Sequence, residues 1–243
     1  MTTAEELVAA TAATVNGLGA RFYFHPATLA KGKELGLDGF RFYVLGRGGV
    51  LGDVEPAVIT SAFGYFNPGL VAKMWNSAKQ TMNPREAARI HLECNADIGR
   101  SALGDVDGLA EFCDAAEQVL TDQNPAGLAL YAGIAAEPLP DDLPGRAMHL
   151  LAVHRELRGS IHLAVIVASG MHAAVAHALR RPSDVEMFGW PADLAVPADA
   201  AEHLAEIDRI TDERTADAYE SLSDEQRSAF VRGVAAIDAA FAD

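Results

Sequence analysis

Between Met148 and His162 the chain places His149, His154, Arg155, Glu156, Arg158 and His162 in an otherwise apolar stretch. Charges in apolar surroundings need a partner or a ligand. On a helix His154, Arg158 and His162 recur at four-residue steps and share one face, while Arg155 and Glu156 turn toward other sides. Two imidazoles beside a guanidinium suit capture of an anion, single-His ligation of a haem or metal, or proton transfer near neutral pH. His162, His149 and Glu156 are therefore the candidates for acid-base work. Arg47, Arg155 and Arg158, with His154, Tyr43 and Phe63, are the candidates for holding a ligand, an arginine gripping an anionic group through a fork of hydrogen bonds. The same residues equally suit a structural reading, in which Glu156 pairs with Arg155 or Arg158 and pins neighbouring helix ends.

Other chemistries find less support. No His pair at i and i+4 and no Glu-x-x-His occurs, so no metal site is assigned. His91 and Cys94 lack a third ligand, and His172 and His177 diverge. A haem on one axial His needs no local spacing, and the cofactor is left open. There is no Gly-x-Ser-x-Gly elbow, and Gly46-Arg47-Gly48-Gly49 matches neither a dinucleotide fingerprint nor a phosphate-binding loop. The aromatic runs Phe22-Tyr23-Phe24 and Phe63-Gly-Tyr-Phe66 either line an apolar pocket or form core.

Charge restricts the partners. Nineteen Lys and Arg against 34 Asp and Glu give a net charge of −15, which repels a polyphosphate backbone. Arg180-Arg181 reads as favourable charge at a helix C-terminus. No stretch approaches the ~20 apolar residues of a membrane span. The N-terminus lacks a basic secretory signal, so a cytoplasmic location is expected, with Cys94 and Cys113 as core thiols on separate helices.

The elements that must position these residues are mainly helical. Asn67-Pro68, Asn83-Pro84 and Asn124-Pro125 mark helix starts, and Asn83/Glu86, Ser183/Glu186 and Ser223/Gln226 have capping-box spacing. Helices are predicted over 4–18, 68–79, 84–102, 107–120, 125–135, 145–158, 183–188, 199–221 and 224–242. Residues 37–58 mix five glycines, with Gly36 just before them, and Phe40-Arg-Phe-Tyr-Val44, and suit a short strand or an irregular buried loop, the glycines allowing close approach to a neighbouring helix. The proline-rich acidic segment Glu137–Pro144 separates an N-terminal half, 1–136, from a C-terminal half, 145–243, either as two domains or as one fused unit.

Gly36-Leu-Asp-Gly-Phe40, Gly46-Arg47, Leu51-Gly52, Phe63 with Phe66 and Pro68, Leu139-Pro-Asp-Asp142 and the His149…Arg155-Glu156…Arg158-Gly159…His162 stretch together resemble an actinobacterial helix-turn-helix or winged-helix-like family of about this length. Glu206–Thr215 with Leu222–Gln226 is similar to the last helices of MarR-type regulators. That resemblance implies a winged-helix-like C-terminal half and terminal helices that interleave in a homodimer. The segment where a recognition helix and wing belong, Glu186–Pro197, is short and without basic residues, which counts against nucleic acid as the partner. The expected function is small-molecule binding in a pocket between the N-terminal aromatics and the His/Arg helix. Acid-base catalysis at His162 or His149, with or without a haem or metal, is the first alternative, and ligand-responsive DNA binding the second.

Overall fold

The computed structural model describes residues 2–121 and 123–242. They form helices α1 (Ala4–Ala20), α2 (Pro26–Glu34), α3 (Gly39–Gly48), α4 (Pro56–Phe63), α5 (Pro68–Lys79), α6 (Pro84–Ala102), α7 (Leu109–Leu120), α8 (Ala129–Ala135), α9 (Leu143–Ala168), α10 (Ala173–Arg180), α11 (Ala200–Tyr219) and α12 (Asp224–Ala240). No strand occurs among the described residues.

Local capping chemistry sets many of these boundaries. The side-chain oxygens of Asn67 and Asn83 accept from Gly69 N–H and Arg85 N–H, each at 2.9 Å, with Pro68 and Pro84 in the first turn where no amide partner is required. Ser223 and Gln226 form a reciprocal capping box, as do Thr3 and Glu6. Ser183 does not, because its hydroxyl turns to Asp184; the helix expected over 183–188 shrinks to a 3-10 turn at Pro182–Asp184 followed by turns.

The glycine-aromatic segment is a correction to the sequence reading: residues 39–48 are helix, continued by a 3-10 turn at Gly49–Leu51, not a strand or an irregular loop. Asp38 caps this helix by accepting from Arg41 N–H at 2.9 Å. Tertiary packing overrides the low helix propensity of glycine here. A Cβ on Gly46 would stand 2.5 Å from His91 Cγ, and one on Gly49 would collide with the Pro84 carbonyl, so bare glycines let α3 press against α6.

Helix α9 is the central beam, in contact with α1, α6, α7, α8, α10 and α11. The main core takes residues from both sides of the 137–144 segment, among them Leu7, Trp75, Phe112, Leu150 and Phe230. A smaller cluster, including Ile166, Met171, Leu204 and Ile207, gathers where the end of α9 meets α10 and α11. The terminal apolar stripes are covered within the chain: Leu7, Val8 and Val15 of α1 and Phe230, Val234 and Ile237 of α12 are all buried, α1 packing on α9, α11 and α12, and α12 on α7. Covering them therefore does not call for a second copy. Among the described residues no single helix is long and apolar enough to cross a membrane.

Candidate functional site

Helix α3 places Tyr43 and Arg47 one turn apart, and Arg47 reaches Glu156 of α9. Arg47 Nε and Nη2 donate to Glu156 Oε1 and Oε2, each at 2.9 Å, in a two-pronged pair, while Nη1 donates to the Tyr43 hydroxyl at 3.0 Å. Tyr23 O–H donates to Glu156 Oε1 at 2.8 Å. Arg155 Nη1 completes the cluster, donating to Glu156 Oε1 at 2.7 Å and to the Tyr23 hydroxyl at 3.1 Å. Burial pushes the Glu156 carboxyl up, but Arg47 and Arg155 more than reverse that and hold it at about 2. One carboxylate thus faces two guanidiniums. Arg155 Nε is buried without a partner, and Nη2 makes no hydrogen bond among the described residues.

A cavity of about 770 Å³ opens beside this cluster. One wall is aromatic, from Phe40, Tyr43, Phe63, Tyr65 and Phe66; a second is the α9 stripe Arg155, Glu156, Arg158, Gly159, His162 and Leu163. A third comes from His177 and Arg180 of α10 with Arg181, Met187 and Phe188 beyond it. Five arginines and a single carboxylate line the space. Arg158 pairs with Asp212 at 2.7 Å, Arg181 with Asp184 at 2.6 Å, and Arg180 with Asp208.

The sequence-predicted residues divide here. Tyr43, Arg47, Phe63, Arg155, Glu156, Arg158 and His162 share the cavity, whereas His149 and His154 do not line it. At 3.6 residues per turn, the eight steps from His154 to His162 rotate the side chain by about 80°, whereas the seven from Arg155 to His162 leave about 20° between them. The cavity stripe therefore starts at Arg155, and His154 faces α7 and α11. Its Nε2–H donates to the Ala116 carbonyl at 3.0 Å, so its Nδ1 accepts from Tyr219 O–H at 2.8 Å. Both nitrogens are used, and burial lowers its pKa to about 4: His154 is a structural pin. His149 is buried in the core, where desolvation also pushes its pKa down.

At His162, Nδ1 lies 3.0 Å from Thr211 Oγ1 and 3.9 Å from Asp208 Oδ1. Thr211 donates its single hydroxyl hydrogen to the Ile207 carbonyl at 2.7 Å, so it accepts from His162. The hydrogen-bond network thereby assigns the Nδ1–H tautomer and leaves a lone pair at Nε2. Burial, reinforced by Arg158 and Arg180 against the pull of Asp208, lowers the pKa to about 4, and the ring is neutral at pH 7.

Several lining residues escaped the sequence reading. Tyr23 appeared there only as an aromatic, and Arg180 and Arg181 only as helix-end charge. The segment Glu186–Pro197 walls the cavity. Asn67 N–H donates to the Phe188 carbonyl at 2.9 Å, and Trp190 Nε1–H donates to the Tyr65 carbonyl at 2.7 Å. The Phe188 ring stacks between Phe66, 4.0 Å away, and His177, 3.7 Å away. Aromatic residues without regular periodicity were the available signal. Among the described residues no group of three or more His, Cys, Asp or Glu side chains is placed to hold a metal ion.

Comparison with curated proteins and with solved structures returns no match. A family model described as a helix-turn-helix family does match, over residues 8–187, a span that holds every cavity-lining residue except Phe188. With well over half of its length inside that match, the chain belongs to the helix-turn-helix family.

Proposed function

We propose that this protein binds a small amphipathic anion, aromatic or apolar in its body and carboxylate-like at its head. The observation that carries the reading is the lining: five arginines and one carboxylate in an otherwise largely aromatic cavity, within a chain of net charge −15. A volume of about 770 Å³ suits a small organic ligand. Glu156 is saturated by Tyr23, Arg47 and Arg155, so it neutralises part of the cationic end without competing for the ligand. The unpartnered Nη2 of Arg155 is the head-group donor. Calorimetry with cinnamate and biphenyl-4-carboxylate tests this against their primary amides. The carboxylates bind, and Arg155→Met weakens them roughly 10- to 100-fold, the loss of a charge-assisted hydrogen bond. Amides that bind as tightly as the acids would refute it.

A second reading, ligand-responsive DNA binding, is favoured by the family match and by the placement of all four lysines between residues 31 and 79, with Lys33 and Lys73 exposed. The cavity would then hold the effector, and the MarR-like likeness of the last helices would imply a homodimer. A gel shift at low salt that yields a discrete, salt-sensitive complex, released by a bound carboxylate, supports it; no complex at any salt eliminates it.

A further inference from the structure

Arg155 and His162 project into one cavity from nearly the same side of α9, seven residues and roughly 10 Å of helix apart. Their hydrogen-bonding senses are opposite. Arg155 offers donors only, whereas His162, with Nδ1–H committed to Thr211, offers a lone pair at Nε2. We propose that His162 Nε2 accepts a hydrogen bond from a hydroxyl carried by the ligand, so that the cavity selects a hydroxylated aromatic acid over the same acid without the hydroxyl. This rests on the anion-binding reading and adds the ligand's second polar group.

The surroundings of His162 hold it in that role. Asp208 and Asp212 face it from α11, Arg158 lies on its own helix and Arg180 comes from α10. Each acid is matched by an arginine, Asp212 by Arg158 and Asp208 by Arg180, so neither stands as an uncompensated charge drawing a proton onto the ring. Asp208 Oδ1, buried and without a hydrogen bond, lies behind Nδ1 and favours the same tautomer as Thr211. The other ionised acceptor in the lining, Glu156, is occupied by Tyr23, Arg47 and Arg155. A phenolic hydroxyl keeps its proton until about pH 9, so its recognition is constant between about pH 5 and pH 9 and fades below that range as the ring protonates near pH 4.

The test uses matched pairs, 4-hydroxycinnamate with cinnamate and 4′-hydroxybiphenyl-4-carboxylate with biphenyl-4-carboxylate, titrated calorimetrically into the intact protein, His162→Phe and His162→Gln. The expected result is that the intact protein prefers the hydroxylated member of at least one pair by about tenfold. His162→Phe abolishes the preference while still binding the unhydroxylated acids, and His162→Gln, which keeps an acceptor oxygen, retains part of it. Equal binding of both members by the intact protein, or an undiminished preference in His162→Phe, overturns the inference and leaves the anion reading standing. Failure of all four acids to bind overturns both. Nitrogen-15 spectra of the free protein give a ligand-independent check: a neutral Nδ1–H ring at His162 is expected at pH 7, and an Nε2–H ring sinks the inference by itself.

Discussion

Replacing Glu156 by Gln removes the only carboxylate among the described cavity-lining residues and leaves Arg47 and Arg155 facing each other in a buried site. Breaking one side of a buried ion pair typically costs about 3–5 kcal/mol, because the remaining charge is desolvated without compensation. Titration gives a similar magnitude independently. The carboxyl ionises at about 2 in the folded chain against an ordinary 4.5, and at 1.36 kcal/mol per pH unit that difference is about 3 kcal/mol. A depressed acid stabilises the fold above its unfolded value and loses that contribution as pH falls toward the folded one. Urea denaturation of both proteins at pH 7, 4.5, 3 and 2.5 is the assay. Glu156→Gln is expected to be less stable by about 3–5 kcal/mol at pH 7, with the gap closing between pH 4.5 and 2. A variant within about 1 kcal/mol of the intact protein at pH 7, or two parallel pH curves, would show that the cluster is solvated and that the argument from burial is wrong.

Two Gly→Ala exchanges should act with opposite sign. Gly46→Ala drives a methyl group into the buried His91 ring and should cost about 1–3 kcal/mol in urea denaturation, whereas Gly17→Ala, with open space around its Cβ position in α1, should stabilise by up to about 1 kcal/mol. Phe230→Asp places a carboxylate among Phe112, His154 and Tyr219 and should prevent folding; a folded variant whose only change is a lower mass in light scattering would instead place Phe230 between two copies. Burial lowers His91 to about 3 and His154 to about 4, so the unfolded chain takes up protons near pH 6.5 that the folded chain refuses. Stability should therefore fall between pH 7 and pH 5, and equal urea midpoints at those two values would contradict the burial of the rings.

Helix starts with local chemistry were legible to the residue. Asn-Pro fixed α5 at Pro68 and α6 at Pro84, because cap and first turn lie within four positions and need nothing from the rest of the chain. Helix α3 was not legible, since its glycines make sense only once α6 lies against them. The Asn124-Pro125 signal overreached: Asn124 does accept from Ala126 N–H at 3.0 Å, but that turn closes on itself and α8 begins only at Ala129. The polar cluster on α9 stood out as charges in apolar sequence, yet assigning its faces from four-residue steps put His154 with the wrong neighbours. Helical phase drifts over two turns, and the drift decides which imidazole reaches the cavity. Tyr23 and Phe188, more than a hundred residues apart, line one space only because the chain folds back on itself, and no spacing within either segment encodes that.

On the anion-binding reading, five arginines gathered around one cavity in a chain of net charge −15 would make the molecule an electrostatic filter. An anion approaching from bulk solvent meets a body of charge −15, and at physiological salt only the last ~8 Å of its path lies within the Debye screening length of the cavity arginines Arg180 and Arg181, which are themselves largely exposed. The repulsion to be crossed grows with the charge of the visitor, while the attraction inside is already partly neutralised by Glu156, Asp184, Asp208 and Asp212. On that reading polyanions such as nucleoside triphosphates would be turned away by the exterior before the pocket could favour them. Singly charged amphiphiles would pass at little cost, and for them added salt would ease entry, the reverse of its usual effect on the capture of an anion by arginines.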